Sequence, residues 1–386
     1  MSPTTNFFGH ARLADFALEP GTLHLNHGSF GATPRAVLDA QAAWRSQMER
    51  NPTRFMSVEV VPALRDAAAA VARLLGGRGQ DWVFVDNATT AVNAVAASFP
   101  LAAGDEVLTT SLAYPAVVNA LRHHAGRAGA RVVIADVPVP IAGDDAVAAA
   151  VAAALGPRTR LAVLDHVTSE SAAVLPVARL AALCREAGAA VLVDGAHAPG
   201  MVALDVPAIG ADWYTGNAHK WLFAAKGCGL LWCAPDRQAA LHPTVISHGL
   251  GNGLAAEFDW TGTRDATAWL SVVDAVAYYD RLGGDAVRAW NAGLAAEAAA
   301  LVAGRLGTDA ACPLAMRAAM ATVRLPTALT ATGANAWALR GWLRDAHAIE
   351  APVVAMADAL WVRLSAQVYN ATDDYVRLAD ALATLA

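Results

Sequence analysis

The sequence predicts an α/β protein, with a mostly parallel, doubly wound sheet in a large domain and a smaller α+β domain after it. Three observations carry this. Short apolar runs rich in β-branched residues alternate with longer Ala- and Leu-rich segments of helical period. The alternation stops near residue 255, after which strands become scarce and helices lengthen. The chain has 386 residues, 56 % of them hydrophobic, which is long for one core and ample for two.

The elements follow in order. "DWVFVD" (81–86) reads as a strand leading into the helix "ATTAVNAVAASF", and "DEVLTTS" as a strand before "YPAVVNALRHHAGRAG". "ARVVIADVP" precedes the helix "DDAVAAAVAAALG", and "TRLAVLDHVTS" precedes "PVARLAALCREAG". "AAVLVDGAH" and "ADWYTGN" are two further strands, and "GCGLLWCAP" reads as one more, of antiparallel type. Continuous apolar strands separated by helices imply a sheet covered on both faces. Beyond residue 255 the pattern predicts a long helical stretch over 267–304, a strand in "MATVRLP", a helix over 334–346, a strand in "ALWVRLSAQ" and a last helix from about 372. The expected division is an arm over 1–20, a large domain over 21–255 and a small domain over 256–386, with the N-terminal segment free to pack on the small one.

Composition removes several function classes. Net charge is −6 with no long Lys/Arg run, which argues against a nucleic-acid surface or a polybasic membrane anchor. The opening "MSPTTNFFGHARLADF" lacks the charged and apolar regions of a signal peptide. "AVAAAVAAALGPR" is too short to span a bilayer. Cys184, Cys228, Cys233 and Cys312 show no CxxC or metal-type spacing, and a reducing cytoplasm is the expected location. His123, His124, His242 and His248 have no HExxH-like spacing, so no metal is expected.

In doubly wound sheets ligands bind outside the carboxyl ends of the strands, so the residues following each strand matter most. After the first strand, Asn87, Ala88, Thr89 and Thr90 open a helix, and its free N–H groups and hydroxyls could cup an anion or simply cap the helix. No GxGxxG or Walker pattern accompanies them. Asp194 ends an apolar strand, where a carboxylate needs a cationic or hydrogen-bonding partner or else caps a turn. Lys220, in "YTGNAHKWLF", lies in a nearly uncharged stretch. It is an ordinary ion-paired lysine or a desolvated amine with a lowered pKa, able to form a Schiff base. Taken together, an anion cup, a buried acid and a buried lysine are the fixed points of a pyridoxal 5′-phosphate site. An acid about 4 Å from the pyridine nitrogen at an effective dielectric of 20 gains roughly 4 kcal/mol, or about three pKa units, enough to keep that nitrogen protonated.

"VLVDGAHAPG", "YTGNAHKWL" and "WTGTRDATAWL" resemble segments of the pyridoxal-phosphate enzymes of aminotransferase class V, within them the isopenicillin N epimerase-like branch. "LHLNHGSFGATP", "DHVTSESAAVLPV" and "VRLSAQVYNATDDYVRLADAL" extend the resemblance from about residue 20 to the C-terminus. It implies fold-type I architecture and a homodimer with shared sites. Lys220 would carry the cofactor aldehyde, Asp194 would pair with the pyridine nitrogen, and His197 would lie beside the ring. Ala88, Thr89, Asn217 and His219 would bind phosphate, with Gly262 and Thr263 reaching the neighbouring subunit's phosphate. Tyr114 would stack on the ring, and Thr168 and Ser169 would approach the ring oxygen or the substrate carboxylate. Asn26, His27 and Gly28 would line the substrate entrance, with Arg54 either nearby or in a surface ion pair. Arg363 would clamp the α-carboxylate of an amino-acid substrate, since its planar fork matches a carboxylate.

One departure narrows the chemistry. The cysteine desulfurases of this superfamily carry a reactive cysteine shortly before the C-terminal arginine, and no cysteine lies between Ala351 and Arg363 here. Desulfuration through a protein persulfide is therefore not expected. The expected reaction is epimerase-like, acting at Cα of an amino acid, with a C–S β-lyase of the hercynylcysteine sulfoxide lyase type as the close alternative and transamination behind both. Epimerisation needs a second acid, for which His27, His197 and Tyr114 are candidates, whereas elimination needs only the lysine.

Overall fold

The computed structural model of the chain describes residues 7–385, so the first six residues of the expected arm lie outside the described residues. Its strands are β1 (Leu23–His24), β2 (Trp82–Val85), β3 (Glu106–Thr110), β4 (Arg131–Ala135), β5 (Thr159–Asp165), β6 (Ala190–Gly195), β7 (Trp213–Asn217), β8 (Gly229–Cys233), β9 (Met320–Arg324), β10 (Ile349–Glu350), β11 (Val353–Met356) and β12 (Ala359–Ser365). Seven of them form one sheet in the order β2-β8-β7-β6-β5-β3-β4. β8 runs antiparallel to both neighbours and the other pairings are parallel, so the antiparallel expectation for "GCGLLWCAP" holds.

The near-continuous apolar strands follow from burial on both faces. In β5, Leu161 and Val163 face one core, shared with Val92, Val95, Val117 and Leu121 of helices Ala88–Ser98 and Pro115–Arg127. Ala162 and Leu164 face the other, shared with residues of helices Val60–Leu75, Asp144–Ala154 and Val177–Glu186. Fully burying a Val or Leu side chain contributes about 1.5–3 kcal/mol, so a strand apolar on both sides is held twice over. Residues of this type end where the strands meet the site: Asp165 and Asp194 close β5 and β6 and are register partners.

A second core lies elsewhere. It joins Leu25 to helix Asp285–Leu306, β9, β11, β12, helix Gly333–His347 and helix Thr372–Ala383. β9, β12 and β11 form an antiparallel sheet with β12 in the middle. β1 pairs in parallel with β10, so the segment near residue 23 is stitched to this second unit.

Two expectations shift. The helix expected over 267–304 is three pieces, Thr267–Leu270, Val272–Arg281 and Asp285–Leu306. Gly283 and Gly284, at φ of 85° and 37°, turn the chain between the last two, a backbone that residues with a Cβ rarely adopt. The change of sequence pattern at 255 also precedes the change of core. Trp269, Val272, Ala275, Val276 and Tyr279 pack in the first core, against the large sheet's helices.

Candidate active site

The carboxyl ends of β5, β6 and β7 converge with the loop 218–228 and with β12 from the second unit. Asp194, at the end of β6, is buried, and its Oδ1 accepts from the Ala196 amide at 2.9 Å. Its Oδ2 has no hydrogen-bond partner among the described residues. Burial raises its pKa, opposed by that amide and by the charge of Lys220. Gly195 follows because a Cβ there would lie 2.1 Å from the Tyr214 hydroxyl, which packs under the strand and bonds His166 Nδ1 at 3.0 Å.

Lys220 sits just past β7, in a turn closed by its own amide to Asn217 O at 3.2 Å. Its Nζ is 3.1 Å from His197 Nε2, and the Trp221 indole N–H donates to His197 Nδ1 at 3.3 Å. With Nδ1 accepting, neutral His197 carries its proton on Nε2 and donates it to an uncharged lysine amine. The electrostatics agree. Burial and then the charge of Arg363 lower Lys220 to about 7, with Asp194 opposing. Burial, Lys220 and Arg363 hold His197 well below the usual histidine range. Near neutral pH, then, a large share of Lys220 is free base.

The anion end is built on the helix start at residue 88. The Ala88 amide donates to Asn217 Oδ1 at 2.8 Å, and the Thr90 amide to the Asn87 side chain at 3.0 Å. α-Helical geometry leaves the Thr89 amide without an intrahelical acceptor. His219 bonds Cys228 O through Nδ1 at 2.9 Å, which leaves Nε2 as its free nitrogen, and burial lowers its pKa to about 4. Asn87, Thr89, Thr90, Asn93 and Thr244 line a depression of about 560 Å³ here. Gly262, at φ +115° with open space where a Cβ would stand, and exposed Thr263 lie on the turn before Thr267. That turn is tied to the cup's entrance by an ion pair between Arg264 and Asp86, with Arg264 also 3.8 Å over the Trp269 ring.

Arg363, in the middle of β12, is 4 % exposed. Nη1 donates to Ser169 O at 2.7 Å and Ser169 Oγ at 3.3 Å; Nη2 donates to Asn26 Oδ1 at 3.2 Å and Ser29 Oγ at 2.8 Å. Its Nε is buried and unpartnered. Burial and Arg340 lower its pKa to about 10, so it stays cationic. Tyr114, 45 % exposed at the start of helix Pro115–Arg127, is close enough for its charge state to act on Arg363.

The structure thus gathers Lys220, His197 and Asp194 at one point, Ala88, Thr89, Asn217 and His219 at a second, and Arg363, Ser169 and Asn26 at a third. Three expected residues stand elsewhere. His27 does not line an entrance: it is wholly buried, bonded to Tyr369 OH at 3.0 Å and the Lys220 carbonyl at 3.0 Å, and burial lowers it to about 3. Thr168 closes its own turn, its Oγ1 2.7 Å from Ser171 Oγ and accepting from the Ala173 amide at 2.8 Å. Arg54 is at the surface, its Nε 2.7 Å from Glu59 Oε1. Sequence reasoning missed Ser29, Trp221 and Asp165. Asp165 ends an apolar strand as Asp194 does, and that shared pattern was its signal. Burial and the Asp194 charge push its pKa well up. Ser29 had no such signal.

The site residues fit a pyridoxal phosphate: an acid with one oxygen unpartnered, an amine poised near neutrality, and a helix start with a free amide. Fold and site define a doubly wound α/β protein with a lysine-centred site. A profile of the Aminotransferase class-V family matches residues 29–336, and the chain belongs to that family. It is 35 % identical to "Probable L-cysteine desulfhydrase, chloroplastic" of Arabidopsis thaliana, over 94 % of this chain and 83 % of that protein. It is also 35 % identical to the isopenicillin N epimerase of Amycolatopsis lactamdurans, over 96 % of each chain. Among solved structures, a cysteine desulfurase from Thermococcus onnurineus superposes with a TM-score of 0.82 at 18 % identity, covering 98 % of both chains. A cystine C–S lyase in complex with its product cysteine persulfide superposes with a TM-score of 0.81 at 22 % identity, covering 95 % of this chain and 98 % of that one. These likenesses bear out the class V resemblance and the α/β fold. The described residues include no helix long and apolar enough to cross a membrane.

Proposed function

We propose that the chain is a pyridoxal-phosphate-dependent C–S β-lyase acting on an S-substituted cysteine. The observation that carries this is the division of labour around Lys220. Lys220 is the amine at the site with a near-neutral pKa, His197 is bonded to it, and His27, a candidate second acid, is sealed behind its backbone. Elimination asks for a single base and a leaving group, which suits this arrangement better than inversion does.

The cofactor is pyridoxal 5′-phosphate, and when bound it supplies an electron sink for bonds at the substrate's Cα. Asp194 would pair with the pyridine nitrogen and favour its protonated form, with Asp165 beside it on the neighbouring strand. Thr89, Asn217 and His219 would hold phosphate at the helix start. Arg363 orients the α-carboxylate, its Nε gaining the partner it lacks. Lys220 Nζ, as free base, removes the Cα proton, and His197 holds that amine in place. The Cβ–S bond then breaks, sulfur leaves with its electron pair and takes up a proton, and water completes conversion to pyruvate and ammonia. The described cysteines, Cys184, Cys228, Cys233 and Cys312, are all buried, which agrees with a route needing no protein persulfide.

The epimerase reading that the sequence favours keeps two supports: the epimerase relative, and Tyr114, a part-exposed phenol that could act as the second acid. Incubating L-cysteine and its conjugates in deuterated water separates the two. Released thiol with pyruvate and ammonia supports the lyase. Deuterium at Cα together with the D-enantiomer, and no thiol, would transfer the assignment to an epimerase. The working unit is a homodimer in which Gly262 and Thr263 complete the partner's anion site, a reading supported by the open cup and the exposed turn. Sedimentation should find a dimer; an active monomer would reject the shared site.

A further inference from the structure

We infer that the substrate end continues past Arg363 into a second, doubly charged subsite, in which Arg340 and Glu170 receive the carboxylate and ammonium of a zwitterionic side-chain terminus. This rests on the reading that Arg363 binds an amino acid's α-carboxylate. The subsite is built symmetrically about β12. On one side lies β9, where Thr322 is the register partner of Arg363 and donates its hydroxyl to the Glu170 carbonyl at 2.7 Å. On the other lies β11, where Val353 is the register partner of Val362 and accepts from Arg340 Nε at 2.7 Å. Glu170 also directly follows Ser169, which holds Arg363 Nη1. One acid and one base are thus anchored to the two strands flanking the carboxylate clamp.

Both charges are unpartnered. Among the described residues the Glu170 carboxylate has no hydrogen bond or ion pair, and Arg340 Nη1 and Nη2 have none. Arg340 rests its guanidinium 4.7 Å over the Trp337 ring. Glu170 feels the charge of Arg363 first and of Arg340 second, yet meets neither within 4.0 Å, and Glu170 and Arg340 are both part-buried. Burial disfavours each ionised form, raising the Glu170 pKa and lowering that of Arg340. Opposite charges held apart and half out of water are compensated by a ligand that brings both complements. A plain alkyl terminus would leave them unpaired.

Four cysteine thioethers test this on the loaded enzyme: lanthionine, with both charges on its distal end; S-(2-carboxyethyl)-L-cysteine, with the carboxylate; S-(2-aminoethyl)-L-cysteine, with the ammonium; and S-propyl-L-cysteine, with neither. Since a hydrogen bond to a charged group is worth about tenfold or more in affinity, kcat/KM should favour lanthionine over S-propyl-L-cysteine by about 10- to 100-fold, with the singly charged pair between. Arg340→Gln should erase the gain from the carboxylate, and Glu170→Gln the gain from the ammonium. These ratios within each variant are unaffected by a general loss of folded protein. Equal kcat/KM for all four thioethers would overturn the subsite while leaving the lyase reading intact. If none releases thiol, the lyase reading fails, and dissociation constants from the cofactor's absorbance decide the subsite alone: tighter lanthionine supports it, and uniform binding rejects it.

Discussion

The two ends of the site differ in how finished they are within one chain. At the reacting end, His197, Trp221 and Lys220 interlock, and Arg363 is held by four hydrogen bonds to Ser169, Asn26 and Ser29. At the anion end, Thr89 and Thr90 face an open depression, and Thr263, next to Gly262 on its turn, stands exposed. The chemistry is set by side chains fixed in advance, whereas phosphate capture is left to the ligand and, in our reading, a second copy. Preorganisation is most valuable where charge moves in the transition state, and least where an anion only has to be retained.

That contrast can be broken by substitution. Lys220→Ala should have the largest effect, lowering kcat by about 10⁴-fold or more, since it removes both the attachment point and the base. Borohydride should then no longer fix a pyridoxyl group to the peptide containing residue 220; labelling of Lys226 in the unaltered enzyme would refute the assignment. Asp194→Asn should keep the cofactor but lower kcat by about 10²- to 10³-fold, as the ring loses its anionic partner. Near-normal turnover would show that Asp194 is not that partner. Arg363→Ala should raise KM by about 10- to 100-fold for the free amino acid, and an amide should bind the unaltered enzyme poorly. Equal affinity for acid and amide would dismiss the clamp.

Thr89→Ala, at the open end, should weaken cofactor retention only a few-fold, about the worth of one hydrogen bond. A loss exceeding that of Arg363→Ala would invert the comparison. A separate effect concerns pH. Lys220 is lowered to about 7 in the folded chain, against 10.5 for a free lysine. The unfolded chain therefore binds more protons between those values, so this group makes cofactor-free protein gain stability as pH rises from about 7 towards 10. Lys220→Met should flatten that part of the stability profile; an unchanged slope would place the lowered pKa elsewhere.

What was legible in the sequence follows the same division. The sheet could be read because strand stretches buried on both faces must be apolar, as 161–164 of β5 and 190–193 of β6 are. Lys220, Asp194 and Arg363 could be read because an ionisable residue in such a run needs a reason. The break at Gly283–Gly284 and the packing of 267–281 on the large sheet were hidden, since helical period says nothing about which core a helix joins. His27 was misplaced because its resemblance to entrance residues gives no hint that Tyr369 and the Lys220 carbonyl hold it from within. Ser29 was invisible, a small hydroxyl whose role exists only through contact with a residue 334 positions away.

That separation bears on the order in which the protein can be made. Asn26 and Ser29 meet Arg363 across 337 and 334 residues, and β1 joins β10 across a similar span. A ribosome releases the large sheet's strands well before β12 exists, so the first core can assemble while the carboxylate clamp has only one of its sides. Loops of this length close slowly but cost little more free energy than shorter ones, because closure entropy grows only with the logarithm of length. The newborn protein thus has a lysine in place before it has a means of selecting what reaches that lysine, and selectivity is the last property it acquires.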